Sequence, residues 1–217
     1  MKRRISFIAA LALCTLFSQA QKKAYHPGGI TFGVRAGVNF QNVNGKDDLD
    51  RKLKNHILPG INIGVNVEIP VAPDFYLQPG LLFSTKGGDY QDNNDGSVKI
   101  SYIELPFNFL YKPLLGKGHM LLGFGPYVAF GVGGSNGSRD IKFKNTVALS
   151  DPDDVAYYRP IDAGANMLVG YEFSNKISFQ LNTQLGLTKI NPDDQRNPND
   201  QRTERNTGFG FSAGYRF

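Results

Sequence analysis

Seven charged residues stand at alternate positions within stretches that are otherwise apolar or small: Arg35, Glu68, Glu104, Lys112, Asp162, Glu172 and Arg216. Three are cationic and four anionic, and their same-face neighbours are mostly Gly, Asn, Gln and Ser. Charges of both signs on one narrow face suit ion pairing in a confined interior, where an unpaired charge is costly. Other chemistry is thinly represented. The histidines are His26, His56 and His119, and no two share a face at metal-ligand spacing. His56, with Asp47, Asp48 or Asp50 in the same polar stretch, is the sole candidate for a hydrolase-type site. Nearness in sequence does not supply the geometry that acid–base catalysis needs. The stretch YQDNNDGS (Tyr90–Ser97) resembles a calcium loop, but Gln91 occupies its first ligand position and no glutamate its twelfth. We therefore expect no enzyme activity, no cofactor and no metal.

The elements that carry the seven charges share one pattern, strict alternation of apolar with small or polar residues, the period of a strand. It recurs eight times: Ile30–Phe40, Gly60–Ile69, Phe75–Thr85, Lys99–Lys112, His119–Val132, Ile161–Phe173, Ile177–Lys189 and Gly208–Phe217. No helical period lasts long enough to build a domain. Each run has about 10 to 14 residues, where ordinary strands average five or six and a tilted strand crossing a bilayer needs about 9 to 11. The connections alternate as well. Pro70–Asp74, Pro113–Gly118 and Ser174–Lys176 are short; Gln41–Leu58, Gly87–Val98, Gly133–Arg159 and Asn191–Asn206 are long and polar. Asp47–His56 is expected to form a short helix. Within the third long connection, IKFKNTVAL (Ile141–Leu149) and VAYYR (Val155–Arg159) are apolar enough to prolong strands or offer a docking edge.

Together these features predict an all-β fold, an eight-stranded antiparallel up-and-down transmembrane barrel with both termini at the periplasmic end. The glycine-rich polar faces fit a lumen that side chains fill. The apolar faces then meet lipid. Threading the strands up and down collects Phe32, Phe75, Phe109, Tyr111, Tyr171, Phe173, Phe179, Tyr215 and Phe217 at the periplasmic ends, as an aromatic girdle.

The N-terminus reads as an export signal. Lys2, Arg3 and Arg4 precede an apolar run from Ile5 to Phe17, and Ser18-Gln19-Ala20 is a small-residue cleavage site. The domains are therefore a signal peptide, 1–20, and an outer-membrane barrel, 21–217. Cleavage lowers the formal charge from +5 to +2 and removes Cys14, the sole cysteine. The remaining charge is no argument for nucleic-acid binding.

The phrases FGVRAGVNF (Phe32–Phe40), FYLQPGLLFSTKG (Phe75–Gly87), YIELPFNFLYK (Tyr102–Lys112), GFGPYVAFG (Gly123–Gly131) and VGYEFSNKISFQLNTQLGLTKI (Val169–Ile190) resemble the PorT-like "porin family" outer-membrane barrels of Bacteroidetes-type bacteria. The resemblance spans the chain after the signal. It implies residence in the outer membrane, contact with its lipid, and recognition of the last strand, ending in Phe217, by the barrel-assembly machinery. The expected role is structural or adhesive, or in envelope assembly, with a plugged polar lumen and a possible extracellular partner at loop 133–159. The alternatives are a narrow porin-like channel and an accessory part of a protein-secretion system.

Overall fold

A computed structural model describes residues 28–46, 51–53, 55–90, 96–197 and 200–217. The signal segment, His26 and the aspartates at 47, 48 and 50 lie outside the described residues, as does most of the calcium-like stretch. Eight long strands build the fold: β1 Thr31–Lys46, β2 Leu58–Ala72, β3 Phe75–Tyr90, β4 Ser97–Tyr111, β5 Gly118–Asn136, β6 Ile161–Glu172, β7 Ile177–Gly186 and β8 Thr203–Arg216. Each pairs antiparallel with its neighbours in sequence. β1 also pairs with β8, from Gly33 against Arg216 to Lys46 against Thr203, which closes the ring. Closure leaves no sheet edge, the condition for backbone to lie in lipid.

The short turns lie at one end. Asp74 and Lys176 adopt positive φ there (63° and 68°). At the other end the strands run further than their alternation alone predicts. β1 continues six residues past Phe40, β3 reaches Tyr90 and β5 spans 19 residues. Much of the expected loops 41–58, 87–98 and 133–159 is therefore strand. The polar residues read as loop are strand residues outside the bilayer, where the outward face no longer needs to be apolar. Arg139–Phe143 folds back on β5 and pairs in parallel with Ala156–Tyr158. The described part of 47–56 is not helical: Lys52 bridges Lys46, and Asn55 and His56 pair with Tyr90 and Asp89. Strand pairing at the barrel mouth outweighs the weak local helix preference.

The barrel wall alternates as the sequence predicts, but its polarity inverts partway up. In β4, Leu105, Phe107 and Phe109 face outward and are exposed, while Glu104, Asn108 and Leu110 point inward and are buried. Higher in the same strand Lys99 is outward and exposed, and Val98, Ile100 and Tyr102 are buried inside. In β1 the outward series Phe32, Val34, Val38 and Phe40 gives way to Asn44 and Lys46, while the inward Asn39 and Gln41 give way to Val43. The buried residues at the upper end form one apolar cluster around Val43, Ile100, Tyr127, Ile141, Tyr158 and Ile190. Gly131 makes room for it, because a side chain there would collide with the Phe143 ring packed against the cluster.

Candidate functional site

Below the apolar cluster the lumen holds two knots of charge. In the lower knot, beside the short turns, Lys112 Nζ lies 3.0 Å from Glu68 and 2.8 Å from Glu172. Arg216 donates to Glu68 through Nη2 and to Asn66 Oδ1 through Nη1 at 2.7 Å. Gln78 donates to Glu68 at 3.3 Å and accepts from Asn108 at 3.3 Å. Four charges here balance to zero. All are buried, and each strand end that supplies them is fixed by its ladder.

In the upper knot Lys86 lies 2.8 Å from Glu104 and 3.2 Å from Asp162, with all three side chains at most 1% exposed. The ammonium sits over the Tyr127 ring at 4.1 Å and the Tyr102 ring at 5.5 Å, a favourable cation–π geometry. Tyr127 donates to Asp162 at 3.3 Å, Asn206 donates to it at 3.0 Å, and Gln184 donates to Glu104 at 2.5 Å. Arg35 is half-buried between the knots. It lines a space of about 30 Å³ below the upper knot and one of about 10 Å³ beside the lower.

All seven charges singled out from the sequence therefore point into one lumen, and six join a knot. Lys86 is the member that sequence reading misses. It sits one residue past the expected end of the third strand, yet it continues the inward parity of Gln78 and Ser84. Extending the strand by one position would have found it. Asn206 is missed for the same reason at the start of β8.

The aromatic residues of the proposed girdle lie on the outer wall and touch in chains. Phe75 stacks on Phe109 (5.4 Å) and Tyr111 (4.7 Å), and Phe109 meets Phe124 edge-on. Tyr171, Phe173, Phe179 and Phe211 form a second run, and Tyr215 meets Phe217 at 5.3 Å. The Phe217 amide donates to the Phe32 carbonyl at 2.8 Å, which places Phe32 at the same rim. Phe124 and Phe211 join these chains although the sequence reading omits them. His56 lies in the short strand beside β3 and His119 at the start of β5, at opposite ends of the barrel.

Above the barrel the third and fourth connections lock together. Thr146–Val147 pairs in parallel with Asp193–Asp194. Arg196 forks onto Asp194 (2.7–3.2 Å) and reaches Asp153 at 2.6 Å. The Arg196 hydrogen bond holds the Asp194 carboxyl below the ordinary carboxylate range. Lys144 does the same for Asp151, helped by the Ala148 amide.

A closed eight-stranded ring with an apolar outer belt and a charged interior defines an integral membrane barrel. The family profile described as "Outer membrane protein beta-barrel domain" matches residues 17–191. The chain belongs to that family, and it is an outer-membrane protein. None of the curated proteins matches it. Among solved structures it is similar to Ail, the attachment invasion locus protein of Yersinia pestis, at 12% identity and a TM-score of 0.45, covering 88% of this chain and 100% of that one. It is also similar to the outer membrane protein AlkL (12%, TM-score 0.38, 91% and 95% covered) and to an outer membrane channel from Pseudomonas putida F1 (11%, 0.28, 91% and 98%).

Proposed function

We propose that this barrel is a closed membrane anchor: its lumen passes no solute, and its loop end, around residues 133–159, meets an extracellular partner in an adhesive or envelope-assembly role. The observation that carries the reading is the occupancy of the lumen. The spaces on either side of Arg35, about 30 and 10 Å³, have room for about two waters and at most one. An aqueous channel takes a barrel of 16 or more strands. The PorT-like phrases belong to the same reading, as do a cleaved signal at residues 1–20, a periplasmic aromatic girdle, and delivery through the last strand ending in Phe217. Purified protein in planar bilayers tests the closed lumen: we expect no steady conductance, and a stable ohmic current would overturn it in favour of a narrow channel. Replacing residues 133–159 by a short turn tests the other half. The barrel should still assemble, and cells carrying it should lose surface attachment; unchanged attachment would remove the loop from the proposal.

A further inference from the structure

On the outer wall, within the apolar belt, the barrel carries a depression of about 1150 Å³ centred on β5 to β8. It forms where the outward positions hold small side chains. Pro126 and Ala165 stand directly opposite each other on β5 and β6, and Thr183 follows on β7. Larger residues rim this floor, with Phe124 opposite Met167 and Phe209 opposite Thr183. The floor asks nothing polar of an occupant. Pro126 has no amide proton, and Thr183 donates its hydroxyl back to the Gly208 carbonyl at 3.3 Å. An occupant gains here only by burying aliphatic surface. A volume above the roughly 1,000 Å³ at which ordinary ligand pockets end suits long chains better than a compact molecule.

A cation stands over the upper edge. Arg205 is on the outward side of β8, four residues nearer the loop end than Phe209. That is about 13 Å along the strand, or roughly 10 Å along the bilayer normal at the usual tilt. Arg205 is exposed and faces Asn44 across the β1–β8 ladder. Among the described residues it has no ion pair or hydrogen bond. The depression and the cation are independent observations, and one molecule with an anionic head above a greasy tail meets both. We propose that this wall is a specific site for an anionic lipid of the loop-side leaflet. The acyl chains lie over Pro126, Ala165 and Thr183, and the headgroup phosphate accepts from the Arg205 guanidinium, whose paired donors match phosphate oxygens, and from the Asn44 amide. A second copy of the chain fits less well. A two-fold interface uses the same patch on both sides, so it would bring two Arg205 side chains to one height on one seam. Lys99 supplies the contrast: it is also outward, exposed and above the belt, but it stands on β4, away from the depression.

Native mass spectrometry of the full chain, stripped of lipid in detergent, tests the site. The probes are dipalmitoyl phosphatidylglycerol, dipalmitoyl glycerol, which lacks the phosphate, and glycerol phosphate, which lacks the chains. One phosphatidylglycerol should bind ahead of any further adducts, and glycerol phosphate should not displace it. Arg205→Ala should weaken phosphatidylglycerol about fivefold, the worth of one basic residue at an anionic lipid surface, and leave dipalmitoyl glycerol unchanged. Lys99→Ala should alter neither. Ala165→Phe, which fills the floor, should weaken both lipids while the unheated protein keeps its folded gel mobility. An even ladder of adducts with no preferred first lipid would overturn the proposal, as would equal effects of Arg205→Ala and Lys99→Ala or wild-type binding in Ala165→Phe. Displacement by glycerol phosphate would assign Arg205 to a soluble anion instead, and a protein dimer that phosphatidylglycerol fails to separate would assign the wall to a second copy; either result overturns the lipid site.

Discussion

Strand β4 passes through two environments and follows opposite rules in each. From Ile103 to Tyr111 its outward residues are apolar and exposed, and its inward residues include Glu104 and Asn108, buried. From Ser97 to Tyr102 the outward residues are Ser97, Lys99 and Ser101, and the inward ones are Val98, Ile100 and Tyr102, each fully buried. The lower stretch is nine residues, about what a tilted strand needs to cross a bilayer. The other strands turn over at the same level. Phe40 pairs with Phe209, and Phe83, Ile103, Phe130 and Ile161 stand side by side across β3 to β6. The strands run on through this line, with a register shift between β4 and β5 at Ser101/Tyr102. What changes is the solvent outside: lipid below, where charge can be hidden only inside, and water above, where apolar side chains can be hidden only inside.

The sharpest test of the lower rule is Lys86→Met. It removes the cation set between Glu104 and Asp162 and strands two buried carboxylates. Breaking a buried ion network from one side costs roughly 3–5 kcal/mol. Urea unfolding in lipid vesicles, followed by the difference in gel mobility between heated and unheated samples, should show a loss of that order. A loss below 1 kcal/mol would mean that the knot is hydrated. Lys112→Met should cost less, because Arg216 remains on Glu68. The line itself is tested by one pair of substitutions in β4. Phe107→Arg places a charge at mid-belt on the lipid face, at a cost of roughly 2–4 kcal/mol, and Ser101→Arg should cost about 0–1. Equal costs would erase the boundary.

This inversion also explains which parts of the molecule the sequence disclosed. Eight alternating runs, their parity and the alternation of short and long connections were legible because lipid keeps the outward face predominantly apolar, with Thr183 an exception. Seven of the lumen charges followed from parity alone. The strand ends were not legible. Above the line, Asn42, Asn44 and Lys46 look like loop residues when alternation is read as apolar-out, although the inward Val43 keeps the same period. Lys86 was lost to that boundary error. The lock between the third and fourth connections left no periodic trace, since short segments far apart in sequence, Thr146–Val147 and Asp193–Asp194, assemble it. Its arginines and aspartates read in sequence only as solvated loop.

The smallest effects belong to the loop cap, where ion pairs of the same chemistry as the lumen's meet water. Asp153 is 92% exposed against Arg196, and such a pair contributes below about 1 kcal/mol. Arg196→Ala should therefore leave the unfolding midpoint of the barrel nearly unchanged while raising hydrogen exchange at residues 147–158. Raising the salt to about 1 M, where the screening length falls to about 3 Å, should do the same to the wild type and nothing to the Lys86 knot.

Acid provides a finer probe of the same cap. Asp194 and Asp151 are held below their ordinary pKa by Arg196 and by Lys144, so their contribution to the folded cap is complete above the unfolded carboxylate value of about 3.9. It is lost only as pH falls through the depressed folded values. Two amides report the event directly, because Arg196 N donates to Asp194 Oδ1 and Ala148 N to Asp151 Oδ2, each at 2.9 Å. Their exchange protection, corrected for intrinsic rate, should stay flat from pH 7 to pH 5 and decline below pH 4. Protection already fading near pH 6 would mean that neither carboxylate holds its loop. In that case the cap would rest on the Tyr157 and Tyr158 side chains packed beneath it.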